Sequence, residues 1–448
     1  MTRKSLARSL LLLCAVWSSF LVAGGGRGAL AREMALSDCI SAALEANRTI
    51  AESRESLAQA RAGISEARSG FLPNLSLSGS YNFVEENQTV NLPLPGVGTE
   101  RLKVDFAYDY IMDLALSQPL YTGGRLWSSY RISTLSRDIA VADLERLEAD
   151  VALSVIEVFY SYLLANQSVV VAQDAISTAE EFLRVVRSRY SQGQASRFEV
   201  MRAEVEVSNL TPALISARNA VALSELSLKN LMGVPLGEEI EFRGSFDETP
   251  VNIGAADAVR RALENRPELR ILRNRARIAD RSLVLARAGR LPTFAVTADY
   301  NVGSNQLSLE GEKWDKTFNA YFVVSLPIFD GFRTKSQIAR SRSEIRQADL
   351  SVAQMEEAIE LEVRSSLLDL DAALERLKSQ EKSVEVAQEG LKIANDQYVQ
   401  GVATNLDVMD AQLALTTARK NRLEALHDLN LATATLERSM GVLLQAGR

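Results

Sequence analysis

Two periodicities alternate along this chain. After Pro73, the apolar residues Leu75, Leu77, Tyr81 and Phe83 are separated by Ser76, Ser78, Ser80 and Asn82. That period of two predicts a strand with one apolar and one polar face. The same period runs through Phe106, Tyr108, Tyr110, Met112, Leu114 and Leu116, against Asp109, Asp113 and Ser117. It returns in Phe294, Val296, Ala298, Tyr300 and Val302 against Thr297, Asp299 and Asn301, and in Phe318, Phe322 and Val324 against Asn319 and Ser325. Four strands of roughly ten residues follow, the length a tilted strand needs to cross a bilayer. Asp109, Asp113 and Asp299 on the polar faces suit a wet lumen better than the one-sided core of a soluble sandwich. The connecting segments, 84–105 and 303–316, are read as outer loops.

The rest of the pattern is helical. Leu126 to Tyr190 contains neither proline nor glycine, and Thr334 to Tyr398 only Gly390, so each stretch predicts a helix reaching ~100 Å at ~1.5 Å per residue. In the second, Leu370, Leu377, Val384, Leu391 and Tyr398 recur every seven residues, with Leu367 and Leu374 as partners, which is a coiled-coil seam. Gln192-Gly193 and Gln400-Gly401 break these helices; Ser196-x-x-Glu199 and Thr404-x-x-Asp407 restart them as capping boxes. Two antiparallel helical hairpins result. Pro212, inside the first returning helix, is expected to kink it.

The two halves are copies. At a shift of 219, Ala67-Arg68-Ser69-Gly70-Phe71-Leu72-Pro73 falls on Ala286-Arg287-Ala288-Gly289-Arg290-Leu291-Pro292. At a shift of 208, Pro119-Leu120-Tyr121-Thr122-Gly123 falls on Pro327-Ile328-Phe329-Asp330-Gly331, and Tyr190, Gly193, Met201, Ala203 and Leu228 on Tyr398, Gly401, Met409, Ala411 and Leu436. One structural unit is used twice. The expected organisation is a signal peptide at 1–31, a first repeat at 32–232 (β-hairpin about 74–120, helical hairpin about 126–231), a linker at 233–253, and a second repeat at 254–448 (β-hairpin about 293–328, helical hairpin about 334–440). The fold class is mainly α with membrane β. Four strands cannot close a barrel, and an open edge is not tolerated in lipid, so other copies must complete the sheet. Two copies give eight strands around a filled interior, whereas three give twelve around a channel.

Composition narrows the chemistry. Arg3, Lys4 and Arg8 precede an apolar stretch from Leu10 to Ala23, and Ala29-Leu30-Ala31 offers a cleavage site, so the mature chain is expected to start near Arg32. Cys14 lies in this signal behind Leu13, which is bulky for a lipoprotein signal. Cleavage leaves Cys39 alone, without a disulfide partner, and expected to be buried. It also takes the formal charge from −7 to −11 with no basic block, which argues against nucleic acid as a partner. His427 is the single histidine, so a multi-histidine metal site is excluded and a histidine triad would have to use His427, which reads as a solvated or packed helix residue. No nucleophile–base pair or phosphate loop appears, and neither an enzyme nor a cofactor is expected. No apolar run of about 18 residues follows the signal, so no helical membrane span is expected.

With these residues in view, the chain resembles the outer-membrane efflux protein family, the TolC-type channels, over nearly all of its mature length. The resemblance rests on the duplication, on Leu72-Pro73 and Leu291-Pro292 before the outgoing strands, and on the Pro-[Leu/Ile]-[Tyr/Phe]-x-Gly pair ending at Gly123 and Gly331. It rests also on Tyr190-x-x-Gly193 and Tyr398-x-x-Gly401 with an acid beyond each. It implies a homotrimer with a twelve-stranded barrel in the outer membrane, in contact with its lipid. It further implies an α-helical barrel in the periplasm and an equatorial belt formed partly by the linker and the C-terminal end. The implied partners are a periplasmic adaptor and an inner-membrane pump for small-molecule efflux, or a secretion ATPase for type I protein secretion. From another class, a periplasmic adaptor also uses long helical hairpins, but usually a single one set in small β-domains.

The resemblance also implies a periplasmic gate at the helix tips. Asp407 and Asp410 would face the axis, with Tyr398 and Glu199 nearby, Gly193 and Gly401 forming the tip turns, and Gly123 and Gly331 the strand-to-helix turns. Six carboxylates from three copies would attract cations. The sequence departs from the family pattern at Ala403, where an arginine can latch the closed tips. Glu199 and Asp407 stand where a carboxylate caps a helix, and Tyr398 lies on the heptad seam, so each also has a structural reading. Asp410 has no capping role; its first-half counterpart is Arg202, and the alternatives are an ordinary surface charge or an Asp410–Arg202 pair between hairpins.

Overall fold

The computed structural model describes residues 32–83, 89–94, 98–103, 110–249, 253–305 and 314–446. The signal with Cys14, and Phe106, Tyr108 and Asp109, lie outside the described residues. In chain order the elements are β1 (Arg32–Met34), α1 (Leu36–Ala46), α2 (Arg48–Ser69), β2 (Asn74–Tyr81), β3 (Thr89–Leu94), β4 (Gly98–Lys103), β5 (Tyr110–Tyr121), α3 (Arg125–Ser191) and α4 (Arg197–Leu231). They continue with β6 (Ile240–Phe242), α5 (Ala255–Asn265), α6 (Pro267–Ala288), β7 (Thr293–Ser304), β8 (Asp315–Ser325), α7 (Arg333–Val399), α8 (Asn405–Ser439) and α9 (Leu443–Ala446).

One antiparallel sheet has the order β2-β5-β7-β8, so the two copies of the hairpin join through β5 and β7. Register sorts the side chains as the alternation predicts. Leu77 lies opposite Leu114, Leu114 opposite Tyr300, and Tyr300 opposite Phe318; on the other face Asp113 opposes Asn301, and Asp299 opposes Asn319. The Asp299 carboxylate accepts from the amides of Asn301 at 2.8 Å and Asn319 at 2.9 Å. Among the described residues no second layer covers the apolar face: Leu77 is 68% exposed, Phe318 69% and Phe322 64%. A soluble sandwich would bury that face. β2 and β8 are the sheet's free edges.

The first connecting segment corrects one expectation. Instead of a plain loop it holds a separate two-stranded ribbon, β3 with β4. Thr89, Val90 and Leu92 favour extended backbone, and Pro93 is tolerated because a two-stranded ribbon consists only of edges.

α3 and α7 are each 67 residues long, ~100 Å, while α4 and α8 have 35 residues and cover half that length. The remaining halves are flanked by α2 and α6: α3 packs on both, and α7 packs on α6. α4 runs continuously through Pro212, whose missing N–H leaves the Ser208 carbonyl without its helical donor. α3 bears on the reading of membrane spans without overturning it. An 18-residue stretch of it has a mean hydropathy of 1.4, enough by length and composition to cross a bilayer. Its Val, Leu, Ile, Phe and Ala residues keep that mean high, while interspersed Ser and Tyr prevent an unbroken apolar run. In the structure α3 packs instead along α2, α4, α6 and α8.

Where short and long helices meet, a belt closes the fold. β1 pairs in parallel with β6, which lies in the segment between the repeats. Met34, Cys39, Ile50, Phe159, Leu228, Met232 and Phe242 form one core there. Burial, and behind it the charge of Asp38, pushes the Cys39 thiol up to about 12, so it stays protonated and inert. The Asn430 amide donates to the Asp247 carbonyl and its oxygen accepts from the Asp247 N–H, both at 3.0 Å, fixing the linker to α8.

An ion network ties the helices at this level. Arg438 on α8 reaches Asp150 on α3 at 2.6 Å and Glu268 on α6 at 2.8 Å, and Arg266 bridges Glu268 and Glu362 on α7. Burial opposes ionisation of Glu268, but hydrogen bonds from Arg266 and the backbone, with the charges of Arg266 and Arg438, outweigh it and hold the carboxyl at about 2. A carboxyl depressed from 4.5 adds stability that is complete above pH 4.5 and is lost as pH falls towards 2. Glu268→Gln is expected to cost on the order of 3 kcal/mol at neutral pH. Urea unfolding of both proteins checks this, and the gap should close as pH drops through that window.

Candidate functional site at the helix tips

Each long helix ends in a turn built on a glycine of positive φ, Gly193 at 75° and Gly401 at 78°. These left-handed positions reverse the chain, and an L side chain there would be strained. Ser196 and Thr404 then cap the returning helices. The Ser196 hydroxyl accepts from the Glu199 N–H at 3.2 Å, and Glu199 Oε1 accepts from the Ser196 N–H at 3.0 Å. The second tip repeats this: Thr404 Oγ1 accepts from the Asp407 N–H at 3.3 Å, and Asp407 Oδ2 accepts from the Thr404 N–H at 2.7 Å. Both capping boxes are complete.

At the opposite end, Gly123 and Gly331 turn each strand into its long helix with φ of 64° and 63°. A Cβ on Gly123 would lie 2.9 Å from Leu291 Cβ, so the turn packs against the second repeat too closely for a side chain. Phe332 stands where the first repeat has Gly124 and is the one non-glycine residue of positive φ among the described residues, at 65°. That costs ~1 kcal/mol, and the Asp330 carboxylate stabilises the turn by accepting from the Thr334 N–H at 2.9 Å.

The two tips of one chain are packed together. Phe182, Leu183, Val186, Ala203, Leu391, Tyr398, Val408 and Leu415 form a core across both hairpins. Tyr398 is 3% exposed, with its ring 5.1 Å from Phe182. Its hydroxyl donates to Glu199 Oε2 at 3.2 Å, and the Asn405 amide donates to the Glu199 carbonyl at 3.1 Å. Arg189 lies across the junction, its guanidinium 4.7 Å from the centre of the Tyr398 ring and donating to the Tyr398 carbonyl.

Of the residues singled out in the sequence, the structure therefore joins Glu199 to Tyr398 between hairpins and leaves Asp407 engaged in its own cap. Asp410 is exposed one turn further on, beside a shallow groove lined by Val386, Ala387 and Leu413. Among the described residues it forms no ion pair with Arg202. Arg189 and Asn405 went unnoticed in the sequence. Their counterparts in the other repeat are Gln397 and Arg197, so a comparison of the two copies for mismatched charge finds both.

Electrostatics follow the geometry. The backbone hydrogen bond at Ser196 leads in holding the Glu199 carboxyl below its usual range; burial opposes it, and the Ser196 and Tyr398 hydroxyls and the Arg189 charge assist. The Thr404 hydroxyl and N–H do the same for Asp407. Burial first, then the charge of Glu199, raises the Tyr398 hydroxyl. Among the described residues no cluster of His, Cys, Asp or Glu is arranged to hold a metal ion.

A family model described as outer membrane efflux protein matches residues 39–234 and 258–442, one segment in each repeat. The chain belongs to the outer membrane efflux protein family. It is thus an outer membrane protein of the efflux family rather than an enzyme. The toluene efflux pump outer membrane protein TtgF of Pseudomonas putida is 27% identical over 70% of this chain, which spans 65% of TtgF's length. The alkaline protease secretion protein AprF of Pseudomonas aeruginosa is 22% identical, covering 77% of this chain and 72% of its own. Among solved structures, CusC superposes with a TM-score of 0.77 at 17% identity, over 91% of this chain and 92% of CusC. That likeness concerns the fold.

Because the Glu199 carboxyl is depressed, its cross-tip contacts are complete above its ordinary value of 4.5 and are lost as pH falls below it. Hydrogen exchange of 189–205 and 396–410 is expected to lose protection on acidification below pH 4.5, with Glu199→Gln showing weaker protection already at pH 7.

Proposed function

We propose that three copies of this chain form one outer-membrane exit duct, closed at its periplasmic end by the helix tips. The observation that carries this reading is the uncovered single-layer sheet, with an exposed apolar face, a polar face bearing Asp113 and Asp299, and two free edges. Lipid covers the first face, water the second, and neighbouring copies pair with the edges. Three copies give twelve strands, wide enough for a channel.

At the tips, Asp407 and Asp410 of three copies line the opening and favour cations. Asp410 is the residue free to act there, since Asp407 is engaged in its cap. The duct works with an inner-membrane pump and a periplasmic adaptor in exporting small molecules, a reading supported by relatives such as TtgF that are efflux-pump outer membrane proteins. The similarity to AprF supports a second reading, passage of a secreted protein driven by a secretion ATPase.

Purified full-length protein is expected to give threefold-symmetric particles and a small cation-selective conductance in a planar bilayer. Asp410→Ala should roughly halve the cation preference without altering symmetry. A trimeric pore indifferent to Asp410→Ala would remove this residue from the gate. A monomer that never enters lipid would overturn the duct.

A further inference from the structure

The family's arginine latch has no counterpart at Ala403, yet the two tips of this chain are joined by another arginine on another helix. We propose that Arg189, near the end of α3, is the latch that holds the second tip against the first, so that releasing the second tip requires breaking the Arg189 contact. This rests on the gate reading above and names the residue that works it.

Three features of Arg189 support the assignment. It grips the second tip by backbone and by ring: it donates to the Tyr398 carbonyl, and its guanidinium stacks 4.7 Å from the ring centre of the same residue. That carbonyl belongs to the last turn of α7, the negative end of the helix dipole, where a cation is favoured. The guanidinium also lies against the reversal itself, since a Cβ placed on Gly401 would sit 3.8 Å from Arg189 Nη2.

The environment suits a latch rather than a solvated charge. Arg189 is half-buried, and its Nε is withdrawn from water without a hydrogen-bond partner. Neighbouring Arg187 differs: it is exposed and pairs at 2.7 Å with Glu204 inside its own hairpin. Surface pairs of that kind contribute little. Lysine cannot replace Arg189 fully, because a single ammonium lacks the planar fork that donates to the carbonyl while stacking on the ring. Asn405 and the Tyr398 hydroxyl complete the junction through Glu199, but both act on the first tip, whereas Arg189 alone in this cluster reaches the second tip's turn.

The test uses the full-length protein in two measurements, single-channel conductance and hydrogen exchange of 396–410. Arg189→Ala is expected to raise conductance several-fold and to abolish protection at the second tip. Arg189→Lys should fall between Arg189→Ala and wild type, and Arg187→Ala should match wild type in both. Wild-type conductance and exchange in Arg189→Ala would overturn the latch, as would an Arg187→Ala phenotype of equal size. If the wild-type protein forms no pore, the duct reading fails on its own, and the exchange comparison still decides whether Arg189 holds the tips together.

Discussion

Unpaired backbone in a medium without water is the constraint on which this architecture depends. Each N–H and C=O along the outer edges of β2 and β8 would cost several kcal/mol if left bare in hydrocarbon, and no strand among the described residues pairs with them. The strands alternate in direction across β2-β5-β7-β8, so β2 and β8 run oppositely. In the three-copy arrangement proposed above, the free edge of β8 would therefore meet another copy's β2 in the antiparallel sense that the whole sheet already uses. Closure needs no new kind of contact, only more copies.

The helices inherit this arrangement. α2 leads into β2, β5 into α3, α6 into β7, and β8 into α7, one helix to each strand. Below the belt the four become α3, α4, α7 and α8, because α3 and α7 continue while α2 and α6 give way to α4 and α8. A barrel of n strands thus continues as a tube with n helical walls at every level, and the belt is where one pair of helices replaces the other. That exchange leaves helix ends in mid-structure. The ion network of Arg266, Glu268, Glu362, Asp150 and Arg438, with the β1–β6 pair, occupies that level.

Much of this was legible because both periods are strict. Alternation placed Leu77, Leu114, Tyr300 and Phe318 on one face, and the seven-residue repeat marked Leu370, Leu377, Val384, Leu391 and Tyr398, of which all but the half-buried Val384 are buried. Capping boxes were legible for the same reason, since Ser196 with Glu199 and Thr404 with Asp407 act over three residues of one chain segment. Less visible were features set by contacts distant in sequence. The flanking of α3 by α2 and α6 depends on tertiary packing, and the apolar stretch in α3 escaped because its Ser and Tyr residues break up the Val and Leu. Arg189 looks like any helical surface arginine until Tyr398, 209 positions away, is placed over it.

Duplication explains why the two tips share chemistry but not surroundings. Glu199 and Asp407 are equivalent positions with the same capping bonds, and Tyr190 and Tyr398 are the same residue at equivalent positions. Yet Tyr398 is 3% exposed and Tyr190 is 47% exposed. Tyr398 is covered because the first hairpin of its own chain lies beside it, and none of the described residues lies in the equivalent place beside Tyr190. In a ring where first and second hairpins alternate, that place belongs to the second hairpin of the preceding copy. The seam within one chain is therefore lined by Arg189, Tyr398 and Glu199, whereas in the proposed ring a seam between copies would set Tyr190 against a second tip, with Gln397 where Arg189 stands. In the three-copy duct proposed above, two kinds of seam around one opening, one gripped by a guanidinium and one without it, would make the gate threefold rather than sixfold.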